Sequence, residues 1–228
     1  MMKFKYIPIS NKKQFGNKRS LKDIKFIVVH DTGNKSRGAG AMNHKKYLEN
    51  ATRSGSAHYY VDDKEIIQPI GDSTVAWAVG DTGSNKDRTR TDVTNSNSLN
   101  VEICINSDSN YNQAVKNANE LIKNLMIKFN IPVDRVVRHF DASGKPCPKT
   151  MKANNWEKWG QFIKELKDPI IYKMDLSKDS DFGGDSGASS WAVNWAKATD
   201  LKVVDGTRPK EPVTREEVVE MLFRLRGF

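Results

Sequence analysis

Cysteine and histidine are scarce in this chain, two and four among 228 residues. Two thiols are too few for a disulfide framework, and reduced thiols fit a cytosolic origin or a metal site. Long apolar runs are missing too: none reaches about 18 residues, which excludes a membrane-spanning helix. The first ten residues, Met1 to Ser10, hold basic side chains but neither the apolar core of about 7–15 residues nor the small-residue cleavage site of an export signal. The expectation is a soluble protein that accumulates where it is made.

Charge, by contrast, is plentiful. Lys and Arg number 37 against 28 Asp and Glu, a net charge of +9. Residues 1–168 hold 28 basic against 18 acidic side chains, or +10, while 169–228 hold 9 against 10, or −1. The first part therefore suits an anionic partner, either nucleic acid or an anionic polymer such as a bacterial cell wall. The positive charges are scattered, and no basic–aromatic motif supports nucleic acid.

The apolar pattern mixes strands with helices. Phe26-Ile27-Val28-Val29 and Val136-Val137-Arg138 are short runs that read as strands, each ending on a histidine, His30 and His139. Ala39 to Arg53 is a helix candidate, and strands over Ala57–Val61 and Glu65–Gln68 flank a turn at Asp62-Asp63. Leu99 to Ile105 alternates apolar with polar, which puts Asn100, Glu102 and Cys104 on one strand face. Ala114, Ala118, Leu121, Ile122, Leu125, Met126 and Phe129 form a single stripe at helical period, closed by Pro132. Another helix carries Trp156, Trp159, Ile163 and Leu166 and stops before Asp168-Pro169. Interleaved in this way, the elements predict an α/β layered domain over residues 1–168.

Beyond it, residues 169–188 have the Asp-, Ser- and Gly-rich composition of a linker. Residues 189–228 hold a small helical segment: Trp191, Trp195 and Ala198 on one helix, then Thr214-Arg215-Glu216-Glu217 as a capping box opening a second. Two helices bury little core, so the segment is expected to dock on the first domain, pair with another copy, or be held by a partner.

His30, His139 and Cys147, the last inside Gly144-Lys145-Pro146-Cys147-Pro148, have the types of a catalytic zinc site. Two neutral imidazoles and a thiolate give Zn²⁺ three ligands and leave a fourth tetrahedral position for water. Each residue also has an ordinary explanation: a histidine on a strand end is commonly a hydrogen-bonded rim residue, and a lone cysteine a small buried hydrophobe. The three together are an odd way to fill a core.

Five segments carry a family resemblance: Val28-Val29-His30-Asp31-Thr32; Ser56-Ala57-His58-Tyr59-Tyr60-Val61; Ala76-Trp77; Ser98-Leu99-Asn100-Val101-Glu102-Ile103; and Arg138-His139-Phe140-Asp141 with Lys145-Pro146-Cys147-Pro148. In order and spacing the first 168 residues resemble the zinc-dependent N-acetylmuramoyl-L-alanine amidases, the family of phage T7 lysozyme and the peptidoglycan recognition proteins. The resemblance implies a central mixed β-sheet flanked by helices, one zinc per chain held by His30, His139 and Cys147, and cleavage of the amide joining muramic acid to L-alanine in peptidoglycan. It also implies that Glu102 is the acid–base group and that Lys145, two residues before the cysteine, steadies the oxyanion.

The chain departs from the pattern in two places. A tyrosine found near the metal in some relatives is replaced by Ala57, and Ala78 stands where a histidine often follows the tryptophan. His58 and Trp77 are assigned to the substrate groove, whereas His44 has no matching role and is expected on the surface. The polar loop from Asp81 to Ser98 is expected to help shape that groove. The segment from Trp191 to Glu217 resembles, more weakly, one S-layer-homology motif, which implies anchoring on a secondary wall polymer; a dimerisation element is the alternative. The whole reads as a phage endolysin made in the host cytoplasm and reaching the wall through a membrane pore. A cytoplasmic muropeptide-recycling amidase and a non-catalytic recognition protein are the competing readings.

Overall fold

The computed structural model describes residues 3–79 and 87–167. The linker and helical segment expected over 169–228, and residues 80–86 of the polar loop, lie outside the described residues. Within them run eight strands: β1 (Lys3–Tyr6), β2 (Phe15–Lys18), β3 (Phe26–Asp31), β4 (Tyr59–Val61), β5 (Glu65–Gln68), β6 (Thr74–Ala76), β7 (Ser98–Ile103) and β8 (Val136–Arg138). The helices are α1 (Ala41–Asn50), α2 (Tyr111–Phe129), α3 (His139–Ser143) and α4 (Ala153–Lys167). Six strands form one sheet in the order β1-β5-β4-β7-β3-β8, and β2 pairs with β6 in a separate ribbon. Only β4 and β5 are antiparallel in the large sheet. This is the mixed sheet that was expected. None of the described helices is long and apolar enough to cross a membrane.

Alternation along the central strands gives the sheet two unlike faces. Ile27 and Val29 of β3 and Leu99, Val101 and Ile103 of β7 face Ala114, Ala118 and Ile122 of α2 and Phe162 and Leu166 of α4. This side is the apolar core. The opposite side receives Phe26 and Val28, packed with Val137 and Ala142. It also receives the polar side chains at the carboxyl ends of β3 and β7.

Local signals set the element ends. The Asn110 side chain accepts from the Gln113 N–H to open α2, and Asn130, in the left-handed region at φ 50°, closes it two residues before Pro132. At α1 the first residue is Ala41, because the helix has no capping side chain of its own. Asp62 does that work from the sheet, its Oδ2 accepting from the Ala41 N–H at 2.9 Å. A Cβ at Gly40 would come within 2.7 Å of the same oxygen, so the close approach requires glycine there. Strand β8 stops at Arg138, and His139 becomes the first residue of α3 instead of the last of a strand.

A buried polar knot ties the ribbon to the sheet. Arg19, after β2, donates from Nε to the Asp72 carbonyl and from Nη1 to the carbonyls of Asn95, Ser96 and Ser98. Its Nη2 lies 3.0 Å from His58 Nε2. The Asn100 N–H donates to His58 Nδ1 at 3.1 Å, so the ring proton sits on Nε2 and is donated to the Thr74 carbonyl at 3.0 Å. Burial, then the Arg19 cation, push the His58 pKa down from 6.5 to about 3.

This makes the fold acid-sensitive at an identifiable residue. Between pH 6.5 and about 3 the unfolded chain protonates His58 and the folded chain does not, so stability falls as pH falls through that window. His30, also lowered by burial, adds a contribution of the same sign. Melting temperatures measured from pH 7 down to 4 should decline, and His58→Gln should flatten part of that decline; an unchanged slope would remove His58 from the account.

Candidate metal centre

Three strands bring the polar face together. In the sheet register His30 of β3 lies opposite Glu102 of β7, and Glu102 lies opposite Tyr60 of β4. Matching parallel register puts the three side chains on one side of the sheet, in a row. His139 joins them from the first turn of α3. That turn is fixed by Asp141, whose Oδ2 accepts from the Arg138 N–H and Nε, while Oδ1 accepts from Nη2. Cys147 follows on the return loop, held by the Phe140 N–H donating to its carbonyl at 3.0 Å. The loop is then tied back to β3, because the Thr150 N–H and hydroxyl both donate to Asp31 Oδ2.

His30, His139 and Cys147 are all buried, and one donor atom from each lies within 4.8 Å of the others. The two Nδ1 atoms are 3.1 Å apart, and Cys147 Sγ is 3.9 Å from His30 Nδ1. A tetrahedral zinc with nitrogens at 2.0–2.1 Å and sulfur at 2.3 Å requires N···N edges of roughly 3.3 Å and N···S edges of roughly 3.6 Å. The two edges at His30 are within a few tenths of an ångström of these values, and the widest separation in the cluster, 4.8 Å, is about an ångström more than a bound ion would require.

The donor chemistry agrees. His30 Nε2 lies 3.0 Å from Asn100 Oδ1, which makes Nε2 the donor and leaves the Nδ1 lone pair pointing at the cluster. Asn100 is itself oriented, its Nδ2 donating to Ser98 Oγ at 3.3 Å. Burial, with His139 next, keeps the His30 pKa well below its usual value. Burial and the Glu102 carboxylate raise the Cys147 thiol, so a cation at the cluster is what would make the thiolate. A soft divalent ion that takes imidazole and thiolate fits these three residues, and zinc is the common one.

Beside the cluster, Glu102 holds a carboxylate oxygen, Oε2, that is buried and has no hydrogen-bond partner. Burial, then the neighbouring Asp31, raise its pKa to about 8. A cavity of about 610 Å³ opens over His30, His139, Cys147 and Glu102, with Lys35, Lys145 and Lys149 also on its walls. Trp77, 39% exposed, stands on its rim. Thus six of the seven residues singled out from sequence as ligands, base, cation and groove meet here: His30, His139, Cys147, Glu102, Lys145 and Trp77. His58 does not join them: it is 0% exposed, absent from the cavity walls, and occupied inside the Arg19 knot.

Sequence reading missed three contributors. Asn100 orients the first histidine, and its only signal is its place two residues before Glu102 on the same strand face. Tyr60 lines the cavity, and its hydroxyl accepts from the N–H of Ala57, the position where some relatives carry a tyrosine. His44, expected on the surface, is half-buried. Its ring stacks on Tyr60 with centroids 5.3 Å apart and planes 10° from parallel, and its Nε2 is buried without a partner.

Comparison with known proteins agrees with this geometry. CwlH of Bacillus subtilis, an N-acetylmuramoyl-L-alanine amidase, is 36% identical over 158 residues, covering 69% of this chain and 58% of that protein. XlyA of the same organism, also an N-acetylmuramoyl-L-alanine amidase, is 37% identical over 132 residues, covering 58% of this chain and 41% of that protein. The chain thus spans about half the length of the curated relatives it matches. Among solved structures, the catalytic domain of XlyA superposes with a TM-score of 0.60 at 32% identity, covering 73% of this chain and 99% of that one. A mutant endolysin from Bacillus subtilis does so with a TM-score of 0.60 at 34% identity, covering 73% and 98%. The sequence profile of the N-acetylmuramoyl-L-alanine amidases (Amidase_2) matches residues 20–150. That stretch is more than half of the chain and encloses β3, β7 and the return loop with Cys147, so this chain belongs to the N-acetylmuramoyl-L-alanine amidase family.

Proposed function

We propose that the protein is a zinc-dependent peptidoglycan amidase that hydrolyses the bond between the lactyl group of N-acetylmuramic acid and L-alanine. The observation that carries this reading is the buried His30–His139–Cys147 cluster with the unpartnered Glu102 oxygen beside it. The activity named for CwlH and XlyA supports it.

His30, His139 and Cys147 would hold the ion, and zinc there would supply Lewis acidity to the scissile carbonyl and to the attacking water. Glu102 takes the proton at Oε2, whose lack of any partner leaves it open to a water, and returns it to the leaving amine of L-alanine. Lys145, exposed on the cavity wall, donates to the carbonyl oxygen as negative charge develops on it. Asn100 keeps the His30 lone pair aimed at the metal. The intact cluster, thiol included, favours catalysis over a recognition role without chemistry.

Residues 189–228 are read as a wall anchor from their resemblance to an S-layer-homology motif. Together with the likeness to an endolysin, this favours host lysis, with access to the wall through a membrane pore, over recycling of soluble muropeptides. A recycling enzyme has no use for an anchor.

Mass spectrometry of digested peptidoglycan should show new L-alanine amino termini and glycan strands stripped of peptide; cleavage within the glycan or the peptide instead would reject the reaction. Glu102→Ala should keep stoichiometric zinc and lose roughly 10²–10⁴ in turnover, and undiminished turnover would reject the base. For Asn100→Ala, competition with a chelator should reveal zinc bound about 10–100-fold more weakly. Removing residues 175–228 should weaken sedimentation with cell walls while sparing cleavage of small muropeptides; equal sedimentation would favour dimerisation or plain extension.

A further inference from the structure

The metal cavity has on its wall a buried hydroxyl to which the proposed reaction assigns no role. Tyr60 of β4 is 5% exposed and lines the cavity beside Glu102, its register partner on β7. A phenol has one proton to donate and lone pairs to accept with. The Ala57 N–H occupies a lone pair at 3.2 Å, and among the described residues none accepts the proton. Buried tyrosine hydroxyls ordinarily find a partner for it. An unspent O–H on the wall of a reaction cavity therefore points to an acceptor that arrives with the substrate.

The ring and its oxygen are both fixed. His44 stacks on the ring face, His44 is held by the Ala39 backbone, and α1 is held by Asp62. The Ala57 N–H anchors the oxygen, which leaves the hydroxyl rotor few directions. Burial, then the Glu102 carboxylate, raise the phenol pKa well above its usual value, so the group keeps its proton and acts as a donor, never as a base. Lys145 stands across from it: the lysine follows β8 and α3, while Tyr60 is on β4, and β7 and β3 lie between. Glu102, which must reach the reacting atoms, is on the strand next to Tyr60.

We propose that Tyr60 is a further catalytic residue, whose hydroxyl donates to the oxygen of the scissile amide as negative charge develops on it, from the wall opposite Lys145. The assignment rests on the amidase reading above. The proton stays on the phenol throughout, and no covalent bond at Tyr60 forms or breaks. What changes is the strength of one hydrogen bond, greater to a tetrahedral oxyanion than to a planar carbonyl, and only that difference accelerates the step. A donor already aimed by Ala57 and His44 costs no reorganisation at the moment of reaction. Being neutral, it adds a donor without placing another cation beside the metal cluster.

The test compares the zinc-loaded full chain with its Tyr60→Phe variant on N-acetylmuramoyl-L-alanyl peptide. The substitution keeps the ring and deletes only the hydroxyl. Tyr60→Phe should bind one zinc per chain, keep KM within about twofold and lose roughly 10²-fold in kcat, the scale of one oxyanion donor. A phosphinate isostere of the scissile amide gives a readout independent of turnover: it carries its charge on tetrahedral oxygens and should bind the variant more weakly by the same factor. Should Tyr60→Phe not fold, 3-fluorotyrosine at position 60 keeps ring and hydroxyl and is the stronger donor, so it should tighten the phosphinate. Unchanged kcat with unchanged phosphinate binding, a rise in KM alone, or loss of zinc together with activity would overturn the role, as would fluorotyrosine without effect. Failure of the unmodified protein to cleave the amide would instead sink the amidase reading itself.

Discussion

The parallel register of β3 against β7 governs everything at the metal centre. With His30 opposite Glu102, a ligand and a carboxylate stand side by side on the polar face while Val29, Val101 and Ile103 turn inward. Slipping either strand by one residue would bury the histidine or the carboxylate in the apolar core and bring a valine or isoleucine to the site. Burial of the apolar side therefore fixes the chemistry of the other side. The stabilising force is hydrophobic, and the placement of His30 beside Glu102 is its by-product.

Polar groups on that face are oriented by neighbours that bind backbone. Asn100 receives its position partly from the His58 ring on its N–H, and His58 from the Thr74 carbonyl that accepts its Nε2 proton, with the Arg19 guanidinium packed against the same ring. Arg19 in turn gathers carbonyls from the Asp72 turn and the segment entering β7. The ribbon of β2 and β6 therefore reaches His30 through a chain of buried hydrogen bonds from Thr74 through His58 and Asn100. Low dielectric strengthens such bonds and makes each unpaired member expensive.

Much of this was legible in the sequence, and the parts that were not share a cause. His30 and Glu102 were readable because each lies in or ends a strand whose period of two assigns its face. Cys147 and Lys145 came from a short loop rich in proline, placed by family likeness. His139 was taken for a strand end; the hydrogen bonds of Asp141 to Arg138 start a helix one residue sooner, a side-chain effect invisible to apolar periodicity. His44 looked solvated because its helix has a weakly apolar face, and its burial is supplied by Tyr60 from another element. His58 was drawn toward the groove by its neighbours in sequence, yet its strand position points it into the Arg19 knot. Helix α1 was expected from Ala39 because no capping residue precedes it, its cap being Asp62, some twenty residues downstream. Apart from the local Asp141–Arg138 contact, the deciding partner in each miss is distant along the chain.

The candidate ligands sit at positions 30, 139 and 147, so an ion held there would join β3 to the loop after α3. All three lie between positions 30 and 147, and a chain cut anywhere between β3 and α3 would separate them. Binding free energy is then spread over the whole fold, since closing so long a loop restrains the unfolded ensemble and only the folded one presents three donors together. Metal capture would therefore report that β3 and the loop after α3 have come together, and not merely that either has formed.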